Sequence, residues 1–187
     1  MKEVLKKIAP ILRALGFQGS GQNYRKREGE FVFVINFQGS RWGDKFFVNL
    51  GAQPLFIPAE GDADVKTLRE YQCVFRRRIG DDWPWQISDE TFSQLEREIV
   101  SVQAEFFGNA QTLPGALATD DPHDLLKKFS GEFASDRTIL HLARAAAKLG
   151  HIGTAQKLVS LGKKVASEQA TIFKTELEKV LGELPKN

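Results

Sequence analysis

The residues best suited to chemistry in this chain are arginines and amides, many of them spaced two positions apart, in its first half. One indole accompanies them, and the set comprises Arg25, Arg27, Asn36, Gln38, Trp42, Asn49, Arg76 and Arg78. The guanidinium group is a planar fork of donors that fits carboxylate and phosphate oxygens. Polar groups that converge over an apolar floor are typical of ligand and partner sites. The set therefore predicts binding of a small anionic ligand or of a protein partner.

Metal chemistry and nucleophilic catalysis are not indicated. The histidines, His123, His141 and His151, lack the short spacings that bring two imidazoles to one metal ion. Cys73 falls on a strand predicted to be buried, where a thiol is usually an inert apolar group. The glycines of GFQGSG, residues 16–21, follow a helix and precede a strand, the reverse of a phosphate-binding loop. We expect no catalytic residue, no metal and no cofactor.

A hairpin within residues 31–51 is predicted to carry the amides. Apolar side chains alternate along both halves of this stretch, as in strands with one buried face. Pairing Phe37 with Phe46 collects the apolar side chains on one face and sets the register. Asn36 and Asn49 then become diagonal neighbours on the other face. The indole lies in the hairpin loop, where it either folds back over the sheet edge or contacts a partner.

Two further strands are predicted to extend this sheet. A turn at residues 28–29 adds an upstream strand, with Tyr24 opposite Phe33. A strand in EYQCVFRRRIG, residues 70–80, buries one set of side chains, namely Tyr71, Cys73, Phe75 and Ile79. Its arginines alternate, so that Arg77 points to the core side and its two neighbours point to the polar side.

Helices are predicted before and after the strands in the sequence. Residues 2–15 have the spacing of an amphipathic helix, and a long helix capped by Ser88 carries an apolar stripe that suits covering the sheet. The predicted class is α+β, an antiparallel meander of about four strands packed against these two helices. A helical hairpin turned at Gly150 and Gly153 follows. We predict a domain over 1–107, a linker over 108–121 and a helical extension over 122–187.

Charge leaves two readings of the polar sheet face open. Residues 1–80 hold 14 Lys and Arg against 8 Asp and Glu, whereas residues 81–187 hold 12 against 16. The arginines therefore either pair with acids of the second half, under covering tail helices, or face an anionic ligand or partner. The small net charge of +2 argues against nucleic acid as a partner.

The location predicted from the sequence is the cytoplasm. The chain has one cysteine, which suggests a reducing compartment. Arg13 interrupts the apolar part of the N-terminus before a signal peptide forms, and no stretch is long and uncharged enough to span a membrane.

The first half of the chain resembles a mainly bacterial family known as domain-of-unknown-function family 4304. The resembling segments are LGF at 15–17, NYRKR at 23–27, VINFQGSRWG at 34–43, FFVNLG at 46–51 and CVFRRRIG at 73–80. The resemblance implies an intracellular α+β domain and brings no activity and no catalytic residues.

Two functions follow as hypotheses from these residues. The favoured one is a non-enzymatic binding or protein-interaction module that uses the polar sheet face and the hairpin loop. The alternative is an enzyme or sensor for a small anionic metabolite, bound by the arginines of the sheet face.

Overall fold

A computed structural model describes residues 2–41, 43–129 and 135–185 of the chain. The chain divides into two compact units, residues 1–108 and 109–187. The first holds an antiparallel sheet with an N-terminal helix and a long helix, and the second is helical, which confirms the predicted α+β class. Within the described part of the chain, every helix is too short or too polar to cross a membrane.

Five strands form a single sheet in the first unit, one more than the sequence predicts. The elements are α1 (Lys2–Ala14), β1 (Gln18–Ser20), β2 (Asn23–Glu28), β3 (Phe31–Gly39), β4 (Lys45–Pro54), β5 (Phe75–Pro84) and α2 (Asp89–Gln111). Neighbouring strands are antiparallel and pair in the order of the sequence. The additional strand is β1, which is only three residues long and exposed. Its sequence, QGS, has no apolar alternation, so the sequence did not predict this strand.

The strand register differs from the prediction by two residues at both hairpins. Phe37 lies opposite Val48 rather than Phe46, and Asn36 lies directly opposite Asn49. Tyr24 lies opposite Ile35, because the turn comes one residue later than predicted. A shift of two residues leaves every side chain on its original face. The predicted faces of β2, β3 and β4 are therefore correct, although the predicted pairs are wrong.

An aromatic core fills the side of the sheet that faces the helices of this unit. Its most buried sheet residues, each at most 1% exposed, include Tyr24, Phe33, Ile35, Phe37, Phe46, Val48 and Leu50. From α2, Leu95 and Ile99 are fully buried, and Phe107 stacks on Phe33 with ring centroids 4.4 Å apart. The long helix covers the sheet, as its apolar stripe predicts.

The predicted fourth strand begins later than its sequence suggests. Residues 70–72 form a short 3-10 helix, and Tyr71 is 60% exposed rather than buried. Cys73 is buried, but it packs against Val34 on the opposite side of the sheet from the aromatic core. The chain crosses that side before it joins the sheet at Phe75, so the alternation assumed from Tyr71 onward holds only from Phe75.

The segment predicted as a linker, residues 108–121, is largely helical. Helix α2 continues to Gln111, and α3 (Leu113–Thr119) follows after one residue. Leu113, Ala116 and Leu117 are buried. Leucine and alanine favour a helix, and a proline is tolerated in its first turn.

The second unit consists of five helices in its described residues. After α3 come α4 (Pro122–Phe129), α5 (Ser135–Lys148), α6 (Ile152–Val165) and α7 (Thr171–Gly182). The predicted hairpin is formed by α5 and α6, which turn at Gly150 with a φ of 80°. Gly153 lies inside α6 rather than in the turn. A methyl group on Gly162 would lie 2.8 Å from Cδ1 of Leu177, so α6 and α7 pack closely.

A fragment of residues 1–111 is expected to unfold in one cooperative transition. It keeps α2 whole and with it the stacked pair of Phe33 and Phe107. Thermal unfolding followed by near-ultraviolet circular dichroism tests this. A shorter fragment, residues 1–88, lacks the covering helix and should show no cooperative transition. A molten 1–111 fragment would show that the first unit is not an independent domain.

Candidate functional site

The side of the sheet opposite the aromatic core, here called the polar face, carries all the predicted site residues that the structure describes. Strand register places on it Asn23, Arg25, Arg27, Val32, Val34, Asn36, Gln38, Phe47, Asn49, Gly51, Gln53, Arg76 and Arg78. Trp42, predicted in the hairpin loop, lies outside the described residues. The polar face has two parts with different environments.

One part of the polar face is covered by residues 55–74, the connection between β4 and β5, here called the covering segment. A buried apolar cluster joins the segment to the sheet and comprises Val32, Val34, Ala59, Leu68 and Cys73. Gly51 permits the close approach, because a methyl group there would lie 2.6 Å from Sγ of Cys73 and 3.2 Å from Cα of Glu70. Val32 and Val34, the apolar residues of β3 on this face, are therefore buried under the protein's own chain.

Arg25 binds the covering segment. Its Nε donates to the carbonyl oxygen of Leu68 at 2.6 Å, and its Nη2 donates to that of Thr67 at 3.0 Å. Burial, followed by repulsion from Arg69, lowers the pKa of the Arg25 guanidinium from its ordinary value. An arginine stays protonated in proteins. Arg25 is thus a charged, half-buried clamp on two backbone carbonyl groups.

Arg76 has a comparable structural role. Its Nε donates to Oε1 of Glu70 at 2.7 Å, and the Glu70 side chain is only 5% exposed. The acid comes from the covering segment and not from the acidic second half of the chain. Arg77, on the core side, forms an ion pair with Glu105 of α2 at 3.0 Å. The arginine triplet is therefore split between two faces, as strand geometry requires.

Gln53 is a third anchor that sequence reasoning missed. It is fully buried, and its Nε2 donates to the carbonyl oxygens of Pro54 and Ile57 at 2.8 and 2.9 Å. Its Oε1 accepts a bond from the backbone N–H of Val74 at 3.3 Å. The side chain satisfies backbone groups at both ends of the covering segment. Its position on the polar face at the end of β4 is the one sequence signal that points to it.

The other part of the polar face carries a row of polar side chains, here called the amide row. Asn23, Asn36, Asn49 and Arg78 are successive cross-strand neighbours on β2, β3, β4 and β5. Nδ2 of Asn36 donates to Oδ1 of Asn23 at 2.9 Å. Nε of Arg78 donates to Oδ1 of Asn49 at 3.1 Å, and Nδ2 of Asn49 donates to Oε1 of Gln38 at 2.9 Å. These bonds fix the orientation of each side chain.

Arg78 is the charged member of the amide row and is half-buried. Its guanidinium carbon lies 4.3 Å from the centroid of the Phe47 ring, a cation–π contact. With Nε bound to Asn49, its two terminal amino groups have no hydrogen-bond partner among the described residues. The arrangement is a positioned fork of donors, which suits a carboxylate or phosphate group.

Arg27 lies apart from the amide row. Arg27 is on β2, where it lies opposite Val32 of β3. The pairing of β2 with β1 ends at Arg25, so Arg27 lies beyond it. Its side chain is exposed. The predicted arginines therefore do not form one site. Arg25 and Arg76 hold the covering segment, whereas Arg27 and Arg78 lie on different rows.

A metal centre is not formed by the residues that the structure describes. Among them, no group of three or more histidine, cysteine, aspartate and glutamate side chains is placed to hold a metal ion.

Comparison with known proteins assigns a family to the first unit. Residues 8–106 match the model of a family described as a domain of unknown function, DUF4304. The match covers more than half of the 187 residues. The chain belongs to this family. No curated protein and no solved structure shows a significant match.

The DUF4304 match includes all five strands and every predicted site residue. It ends at Phe106, within α2, so the helices of the second unit lie outside it. The resemblance seen in the first half of the sequence is thereby confirmed. The covering segment and the amide row are both features of the DUF4304 part of the chain.

Proposed function

We propose that the DUF4304 domain is a non-enzymatic binding module that holds a protein partner on the amide row and the adjoining hairpin loop. The observation that carries the proposal is the state of Arg78. Asn49 and Phe47 hold its guanidinium in place, while its terminal donors are unused among the described residues. Arginine is one of the residues enriched at interface hot spots.

The length of the row favours a protein segment over one small ion. Strands lie about 4.8 Å apart, so a row across four strands spans about 14 Å. That length suits several side chains of a partner, with one carboxylate on Arg78 and amide or hydroxyl groups along the asparagines. The side chains are already oriented by their mutual bonds, which lowers the entropy lost on binding. The cytoplasm, where a lone cysteine stays reduced, is the location that fits this proposal.

The second candidate, an enzyme or sensor for a small anionic metabolite, requires the arginines of the sheet face to act together. Arg25 and Arg76 are bound to the covering segment, and neither can turn to a ligand without breaking those bonds. A site made of all the sheet-face arginines is therefore less well supported than a partner surface centred on Arg78.

The proposal is tested by selecting peptides from a random display library against the full chain. Enriched peptides are expected to contain aspartate or glutamate, because the free donors of Arg78 form their strongest hydrogen bonds with an anionic acceptor. The dissociation constant of a selected peptide is then measured by fluorescence anisotropy. Arg78→Gln should raise it about tenfold or more, as expected for loss of a central charged contact.

Arg77→Gln provides the matched control. It removes the same group from the neighbouring position of β5, but on the opposite face, where Arg77 pairs with Glu105. It should leave peptide affinity within about twofold of wild type. Equal losses in the two variants, or selected peptides without acidic residues, would contradict the role given to Arg78.

A further inference from the structure

A cavity of about 550 Å³ opens beside the outer strands of the sheet, away from the amide row. It lies where the edge of β2 is no longer paired with β1 and meets the covering segment. The residues lining it are Gly16, Gln18, Gly19, Arg25, Lys26, Arg27, Val32, Leu55, Val65 and Lys66. Its volume is within the usual range for small-molecule sites.

The lining is strongly positive. It includes four cationic side chains, and none of the described residues that line it is acidic. Lys26 is neutralised by Glu28 at 2.6 Å, and Arg25 is bound to backbone carbonyl groups. Neither the guanidinium of Arg27 nor the ammonium group of Lys66 has a partner among the described residues. Two cations from different elements therefore converge on the cavity without a compensating anion.

Apolar side chains form the rest of the wall. Val32 is buried at its base, Leu55 is half-buried, and Val65 is one of the large apolar residues left exposed, at 38%. A small inorganic ion would use the cations and leave these groups in water. A ligand with a charged end and an apolar body would use both, since burial of its body removes apolar surface from water.

We propose that this cavity binds a doubly charged anionic group carried on an apolar body, as in a phosphate monoester of an apolar alcohol. The two unpaired cations, Arg27 and Lys66, match the two charges, and the wall of Val65 and Leu55 contacts the body. The site shares no side chain with the amide row, so the proposal stands independently of the proposed partner binding.

Isothermal titration of the full chain with phenyl phosphate at fixed ionic strength tests this site. The dissociation constant of phenyl phosphate is expected to be below about 10 mM. Methyl phenyl phosphate keeps the ring but has only one negative charge, so it should bind about tenfold more weakly. The double variant Arg27→Gln/Lys66→Gln should also weaken phenyl phosphate binding about tenfold or more. Both side chains are exposed and without described partners, so this variant should fold normally.

The control is Arg97→Gln/Lys157→Gln, which removes one arginine and one lysine that are exposed and unpartnered elsewhere in the described chain. It makes the same change in net charge and should leave affinity within about twofold of wild type. Val65→Ser should lower the affinity for phenyl phosphate and leave the affinity for inorganic phosphate unchanged.

Three results would overturn the site. The first is that phenyl phosphate does not bind the wild type. The second is that both double variants lose the same affinity for phenyl phosphate, and the third is that Arg78→Gln alone lowers this affinity. The last result would move anion binding to the amide row, and the peptide experiment would still test the proposed interaction separately.

Discussion

Replacing Phe37 by alanine is expected to lower the free energy of unfolding by about 3 to 5 kcal/mol, the usual range for a buried phenylalanine. Phe37 is fully buried, and its ring contacts those of Tyr24 and Phe46, each with a centroid 6.2 Å away. Phe46→Ala should have an effect of the same size, because Phe46 is also fully buried and stacks on Trp85 at 4.2 Å. Urea unfolding of the 1–111 fragment measures both.

Phe47→Ala is the matched control for this prediction. Phe47 is adjacent to Phe46 on β4, but it lies half-buried on the polar face under Arg78. Its loss should be clearly smaller, since less apolar surface returns to water. Losses below about 1 kcal/mol for both Phe37→Ala and Phe46→Ala would mean that the aromatic side of the sheet is not the core.

The faces of the central strands could be predicted from the sequence, whereas their pairs could not. Alternation assigns each side chain to a face, and a two-residue shift leaves that assignment unchanged. The register is decided instead by the turns. Gly29 and Glu30 form the first turn, and Gly39 pairs with Phe46 across the second. Both turns are centred one residue later than predicted, and this shifts each strand pairing by two residues.

The covering segment could not be predicted, and it changes the role of two of the four candidate arginines, Arg25 and Arg76. Residues 52–64 carry no apolar period, so nothing local shows that the chain returns across the sheet. Arg25 and Arg76 look like free cations in the sequence. The Leu68 carbonyl that binds Arg25 is distant along the chain, and the strand predicted over residues 70–80 would place Glu70 about 20 Å from Arg76. Tertiary contacts therefore decide which arginines are structural.

The residues of the amide row were predicted more accurately than those bound to the covering segment. Asn36, Gln38 and Asn49 share the expected face, and Arg78 joins them from β5. Sequence reasoning missed Asn23, whose position opposite Asn36 follows from the shifted register. With the predicted register, Asn23 would lie opposite Val34 rather than Asn36, and so would not belong to the row. A register error of two residues thus preserves the composition of each face but changes which residues lie opposite one another.

Gly51→Ala is expected to destabilise the first unit by roughly 1 to 3 kcal/mol, as overpacking of a close contact does. The added methyl group would lie 2.6 Å from Sγ and 2.9 Å from Cβ of Cys73, and 3.2 Å from Cα of Glu70. Two of these atoms are not the flexible ends of side chains, so the covering segment has to move. Gly39→Ala on β3 is the control. Its nearest neighbour is an ordinary contact at 3.7 Å with Trp85, so it should not destabilise the protein.

Cys73 reports directly on whether the covering segment moves. It is the only cysteine of the chain and is fully buried, so the rate of its reaction with a thiol reagent measures opening of the segment. Gly51→Ala should accelerate this reaction, and Gly39→Ala should not. In the double variant Gly51→Ala/Cys73→Gly, the added methyl group no longer meets Cβ or Sγ of residue 73. Its unfolding free energy should therefore exceed the value expected from adding the two single losses. Additive losses, or unchanged thiol reactivity in Gly51→Ala, would mean that the segment does not rest on β4 through this contact.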